Sequence, residues 1–315
     1  MGRCAADAPL VSQERQADAM QAALPDNMQT LLLLAPLSMH VNTLSSLAQL
    51  LASAETETLA FPTSINTALL LQKELANPDC HSADISRLLL CEPTLSARAV
   101  ALANSALFSP GHTPAITSVR AAVERLGHRN LYSLATAAVI RQLNAGIRDE
   151  ALRARATQLW AHTVHVAALA HGLASAVTHT DADTALFAGI VHEVAGFYLL
   201  AQADKTPGLY AHLETQMASA LEVIGRSLMR QLGVPQPVAD AVNALPGSTI
   251  MLPPEGLRDT LLLAKALAPV PSPLPQAGIT VSTQLQAYLE HDPVLQALRT
   301  QPSAEAKGLI EVLLS

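Results

Sequence analysis

From residue 61 onward, apolar side chains recur every three to four positions, the period of a helix with one buried face, and no strand-length alternation competes with them. Ile65, Ala68, Leu69, Leu75 and Ala76 form the first such stripe, opened by Pro62-Thr63 and stopped at Asn77-Pro78-Asp79. Ser82 is placed to cap a short helix through Leu90, and Pro93 stands at the first-turn position of the next, striped by Leu95, Ala99, Leu102 and Ala103. Thr117 or Ser118 then caps Val119, Ala122, Val123 and Leu126, closed by Gly127. The spacing resumes at Leu131, Leu134, Ala135, Ala138 and Val139, predicting an αα-hairpin with a tight polar corner at Gly127-His128-Arg129.

A long helix is expected over about 150–177, striped through Leu159, Trp160, Thr163, Val166 and Ala170, and another from Thr184 to about Gln202. Further stripes run from Leu221 to Leu232, ending at Gly233, from Val238 to Leu245, and from Leu257 to Ala268. Residues 269–275 (PVPSPLP) read as a stiff, extended spacer, followed by two short helical patterns near 282–291 and 303–314. Ahead of all this, residues 1–30 are polar and Gln-rich and run into a helical segment from Thr30 to Ala54. No fixed-period repeat is present. The pattern is all-α, with an N-terminal extension over 1–54, a helical domain over 55–248 and a C-terminal extension over 249–315.

Composition narrows this. Half of the 315 residues are hydrophobic, but only 3% are aromatic and 14% charged, which excludes a charge-rich disordered chain and disfavours a β-sandwich. The net charge of −7 carries no clustered basic face, so no nucleic-acid partner is expected. Cys4, Cys80 and Cys91 form no CxxC pair, as in reduced thiols of a cytoplasmic protein. Mean hydropathy is +0.27, yet the apolar run from Leu31 to Leu37 is too short to span a membrane and that from Leu186 to Ala201 is broken by His192 and Glu193. Asp7, Glu14, Asp18 and Asp26 occupy the place of a signal peptide's apolar core.

Candidate chemistry gathers around the histidines. His162 lies on the flank of its stripe, and Glu193 falls inside the stripe of Leu186, Ile190 and Phe197, where an unpaired carboxylate is expensive to bury. That carboxylate demands a partner, a metal or water. His162, His192 and Glu193 could together present two imidazoles and a carboxylate to one divalent cation. Metal-assisted hydrolysis needs more, and between Glu214 and Gly247 there is no His and only Glu214, Glu222 and Asp240 as acids. GxSxG, GxGxxG and Walker A patterns are absent, and Cys80-His81 with Cys91 lacks zinc-knuckle spacing.

Glu92-Pro93-Thr94-Leu95, Leu102-Ala103-Asn104-Ser105-Ala106-Leu107-Phe108, Ile116-Thr117-Ser118-Val119 and Arg125-Leu126-Gly127 form a series of blocks. Leu159-Trp160-Ala161-His162, Ala188 to Gly196, Gly225-Arg226-Ser227-Leu228 and Leu232-Gly233-Val234-Pro235 continue the series, which spans roughly 55–248. In this order the blocks resemble the HDOD domain, a helical output module of bacterial signalling proteins. The resemblance implies kinship with HD phosphohydrolases whose metal pattern has commonly eroded. His162 and His192 match the two HD-type histidines. Glu193 stands where the HD aspartate would be, and Gly196-Phe197 replaces the usual Gly-Lys. Leu221 or a neighbour replaces a further histidine, and Ala244-Leu245-Pro246 stands where a His pair would follow.

The resemblance therefore implies a compact HD-like bundle serving as a non-enzymatic module in bacterial signal transduction, with no resident cofactor. Its partner would be a protein or a small-molecule ligand, with self-association into a homodimer as a further option. The candidate interaction surface comprises Arg125, His128 and Arg129 with the loop from Ser109 to Thr113, including His112. Two alternatives stand beside this: a divergent metal-dependent phosphohydrolase or phosphodiesterase using His162, His192 and Glu193, and a nucleotide-responsive binding protein.

Overall fold

Side-chain caps punctuate the chain much as its stripes predict. The computed structural model describes residues 47–55, 59, 66–109, 114–275, 282–300 and 303–314. Within these, every regular element is helical. The N-terminal leader, the opening Pro62-Thr63 and His112 lie outside the described residues, and the segment expected from Thr30 to Ala54 is described only as helix over 47–55.

The first five helices are α1 (Asn66–Leu75), α2 (Ser82–Leu90), α3 (Pro93–Ala103), α4 (Val119–Leu143) and α5 (Glu150–Leu173). Glu92 caps α3 by accepting from Thr94 N at 3.2 Å, with Pro93 at the first position, and Ser118 caps α4 by accepting from Ala121 N at 3.3 Å. His81, not Ser82, precedes α2, and Ser82 is already its first helical residue. Next come α6 (Ala182–Val191), α7 (Val194–Lys205), α8 (Leu209–Gln231), α9 (Gln236–Asn243) and α10 (Gly256–Leu267). Three C-terminal helices follow: α11 (Thr283–His291), α12 (Pro293–Thr300) and α13 (Ala304–Leu314). α12 belongs to no predicted stripe.

Four further sequence expectations change. The corner at Gly127-His128-Arg129 is not a loop: α4 runs through it, kinked at a single left-handed residue, Gly127, with φ 69°. Glycine meets the need for positive φ that the C′ reading assigned to it, but the next helical segment starts at once. The helix expected to reach Val177 leaves α geometry at Leu173 and finishes as a π-helical turn, Ala174–Thr178, before His179 at φ 50°. The helix expected from Thr184 to Gln202 is two helices, broken at His192-Glu193. Periodicity cannot see that break, because the residues on both sides of it are buried: Ala185 through Val191, and Val194 through Ala201.

The fourth change concerns the supposed spacer. Residues 269–275 run along α5 as a strap: Val270 O meets His162 Nδ1 at 2.7 Å, and Pro271 O accepts from Gln158 Nε2 at 3.0 Å. Leu274 is buried against Gly196. Proline removes donors but leaves carbonyls free to accept, and α5 supplies the donors. Beyond the strap, Leu313 O accepts from Trp160 Nε1 at 3.1 Å and from Arg141 at 3.3 Å, so α13 returns to α4 and α5.

α5 is thus the axis of the packing, with α6, α10 and α13 laid against it. Its closest neighbour is α6. A Cβ added at Gly189 would lie 2.9 Å from Ala167 N and closer still to Ala167 Cα, so only glycine permits the approach. The stretch 182–205 is apolar and long enough by composition to cross a membrane, but 83% of its most apolar window is buried by its own chain.

Candidate functional site

The break between α6 and α7 turns two adjacent polar side chains inward beneath α5. His192 ends α6, and Glu193 holds φ −112° and ψ 17°, outside helical geometry, before α7 restarts. His162 faces them from α5. His192 Nε2 stands 3.5 Å from His162 Nε2 and 3.7 Å from Glu193 Oε1, and His162 Nε2 is 4.0 Å from the same oxygen. All three residues are buried. The three residues that the sequence grouped are thus brought to one point by the fold.

The imidazole tautomers follow from their outer partners. His162 Nδ1 meets Val270 O at 2.7 Å and His192 Nδ1 meets Gly189 O at 2.7 Å. A carbonyl only accepts, so each Nδ1 carries the proton and each Nε2 turns a lone pair toward the centre. Burial pushes the pKa of His192 down to about 3, with the Lys265 charge adding to that fall and Glu193 opposing it. Burial lowers the His162 pKa as well, against the pull of Glu193. Both rings are neutral near pH 7.

The partner that Glu193 required is Lys265 on α10. Its Nζ donates to Glu193 Oε1 at 2.7 Å, with side-chain exposures of only 9% and 5%. Burial alone would raise the carboxyl pKa, but the Lys265 charge and hydrogen bond outweigh it, holding Glu193 below its usual range and ionised. Sequence reading passed over Lys265, although a signal was present. It is the single charge between Leu261-Leu262-Leu263-Ala264 and Ala266-Leu267, and a lysine in such a setting needs an acid to pair with.

The trio can be tested against the metal its chemistry suggests. Donor separations of 3.5 to 4.0 Å suit atoms about 2.0 to 2.2 Å from one zinc-like ion. The ammonium does not suit such an ion. A cation bound through Oε1 would stand within about 5 Å of Nζ, where a divalent and a single charge repel by about 7 kcal/mol at an effective dielectric of about 20. Among the described residues no fourth His, Cys or carboxylate joins the group. Glu222, on the neighbouring cavity wall, pairs with Arg226 at 3.5 Å. With Lys265 in place the residues do not fit a resident divalent ion.

That cavity, about 120 Å³, lies between α7, α8, α9 and α10 and is walled by His192, Glu193 and Lys265 on one side and by Leu221, Asn243 and Ser248 on the other.

The expected interaction residues scatter. Arg125 is spent within the chain, donating to Ala103 O, Ser109 Oγ and Pro114 O at 3.1 to 3.3 Å. His128 and Arg129 instead border an open groove of about 530 Å³ floored by Tyr132, Phe187, Pro235, Pro237 and Val238. Arg129 pairs with Asp181 at 3.4 Å, and Tyr132 donates to Leu232 O and Gly233 O.

Residues 61–234 match the family model of the HDOD domain. The chain is a member of the HDOD family. No curated protein matches this HDOD chain. Among solved structures it is similar to a candidate metal-dependent phosphohydrolase from Shewanella amazonensis, at 20% identity and a TM-score of 0.64, covering 87% of this chain and 99% of that one. It is also similar to an HDOD domain protein of unknown function from Geobacter sulfurreducens, at 21% identity and TM-score 0.53, covering 86% and 93%. A candidate signal transduction protein from Marinobacter aquaeolei follows at 18% identity and TM-score 0.51, covering 87% of this chain and 65% of that one. At these identities the likeness concerns the HDOD fold. Lys265 and Val270, which complete the cluster, lie beyond the matched residues.

Proposed function

We propose that this HDOD protein is a non-catalytic module of bacterial signal transduction, working by binding a protein or a small ligand rather than by turning over a substrate. The observation that carries this reading is the Lys265 ammonium on Glu193 at 2.7 Å. It neutralises the only carboxylate in the trio, so the cluster has no net charge and works as a tie between α5, the α6–α7 break and α10. The family relationship supports the signalling role, as does the likeness to the candidate signal transduction protein from Marinobacter aquaeolei. The groove beside His128 and Arg129 is the surface assigned to a protein partner, because it joins an apolar floor to a charged rim. Free thiols at Cys80 and Cys91 support a reducing, cytoplasmic setting.

The test is an assay of the purified protein with added Mn²⁺, Fe²⁺ or Zn²⁺ against phosphomonoester and phosphodiester substrates, with elemental analysis of the same sample. No turnover and no stoichiometric metal are expected. Metal-dependent hydrolysis that vanishes in a His162→Ala/His192→Ala variant would establish the phosphohydrolase alternative, which the spacing of the three donors favours.

A further inference from the structure

We propose that Lys265 is a built-in cation holding together a latent transition-metal site, and that removing its ammonium converts His162, His192 and Glu193 into a site for one Zn²⁺ or Co²⁺ ion. The inference rests on the reading that the native cluster carries no metal. Three electron-rich atoms converge here within 3.5 to 4.0 Å, two of them imidazole nitrogens whose lone pairs face one another. Neutral rings with Nδ1 tied to backbone carbonyls are already in the protonation state and orientation in which histidine binds a metal through Nε2. Such a set is repulsive unless a positive centre sits among it. The chain supplies one from α10.

Lys265 lines the adjoining cavity together with His192 and Glu193. Shortening its side chain would widen that cavity beside the trio, and an ion and its waters could enter through it. α10 should keep its place in the variant. Leu261, Leu263 and Ala264 are fully buried, and Thr260 Oγ1 meets Thr178 Oγ1 at 2.6 Å. Two imidazole nitrogens and one carboxylate oxygen form a borderline donor set, suited to Zn²⁺ and its spectroscopic substitute Co²⁺ rather than to Mg²⁺ or Ca²⁺. A water from the cavity side would complete four-coordination.

The experiment titrates chelator-treated native protein, Lys265→Ala and Lys265→Ala/His192→Ala with Co²⁺ and then Zn²⁺, following Co²⁺ visible absorption and calorimetry. Lys265→Ala is expected to bind one equivalent at least 100-fold more tightly than the native chain, with binding lost when His192 is also removed. A folded Lys265→Ala that takes up no metal overturns the inference while leaving the non-catalytic reading intact. One equivalent bound by the native chain overturns it too, and native metal-dependent hydrolysis is what takes the functional reading down. If Lys265→Ala does not fold, melting it with and without Zn²⁺ decides the matter. Rescue by Zn²⁺ supports the site. No rescue, while Lys265→Ala/Glu193→Gln folds, shows that a metal cannot stand in for the ammonium and overturns it.

Discussion

Two interruptions of helical backbone, at Gly127 in α4 and at His192-Glu193 between α6 and α7, use polar residues in opposite ways. The kink at Gly127 leads into His128 and Arg129 on an open groove, where the Arg129–Asp181 pair has side chains 74% and 54% exposed. The α6–α7 break turns His192 and Glu193 inward, where the Glu193–Lys265 pair is 5% and 9% exposed. Similar charges have different consequences. An exposed pair contributes about 0 to 1 kcal/mol, whereas breaking a buried one costs about 3 to 5 kcal/mol, because a charge is left without water or partner. The residues that resemble a reaction centre are therefore the ones least able to change partners, and those on the groove are free to.

The sharpest way to break this contrast is to wedge the dry side apart. Gly189→Ala places a Cβ into the backbone of Ala167, and backbone cannot rotate away as a side-chain tip can. The expected loss is about 3 kcal/mol, the upper end for overpacking, or roughly 6 to 12 °C in a thermal melt for a chain of this size. His162 and His192 are carried on the two helices being separated, so their contact should loosen with it. A melt within a degree of the native protein would mean that α5 and α6 do not approach as described.

Acid should separate the two regions next. An unfolded histidine titrates near 6.5, but native His192 resists protonation down to about 3. Below pH 6.5 the unfolded chain therefore binds a proton that the native chain does not, and stability falls as pH drops toward 3. By pH 5 the loss from this one group is about 2 kcal/mol. His162, lowered in the same direction, adds to it. Asp181, at the groove, acts in a different window. Thr184 hydrogen bonds, ahead of the Arg129 charge, hold its carboxyl below the usual range, so its contribution persists above the ordinary aspartate pKa and is lost only in stronger acid. Denaturant melts between pH 7 and 5 should show the histidine slope, and His192→Asn should flatten it. An unchanged slope would remove the buried neutral imidazole from the account.

The residues that were legible in the sequence and those that were not divide along physical lines. The first-turn position of Pro93, the cap at Ser118, one of two candidates with Thr117, and the positive φ of Gly127 are local events, fixed within four residues, and could be read directly. The His162, His192 and Glu193 grouping was also readable, since burying a carboxylate within an apolar stripe forces a polar neighbourhood. The pairing itself was not: Lys265 stands out as a lone charge in an apolar run, but it lies 72 residues from Glu193, and the packing of α10 onto α5 and α6 is what joins them. The strap failed for a related reason. Its prolines report stiffness truthfully, but the Gln158 and His162 donors that hold its carbonyls are more than 100 residues away. The α6–α7 break was hidden by uniform burial, which erases the periodicity that marks helix ends.

The smallest structural effect belongs to the groove, and its smallness is the point. Arg129→Ala removes one exposed ion pair. Asp181 keeps its task of capping α6, since its Oδ1 accepts from Thr184 N at 2.8 Å without help from arginine. The expected change in stability is below about 0.5 kcal/mol, within roughly 2 °C in a melt. Tyr132, Phe187 and Pro235 still floor the groove. Any loss of partner binding in this variant would then be a loss of recognition rather than of fold, measurable by co-purification of tagged native and variant protein under matched expression. If Arg129→Ala instead lowered the melt as far as Gly189→Ala, the groove would be structural like the cluster, and the contrast between the two breaks would collapse.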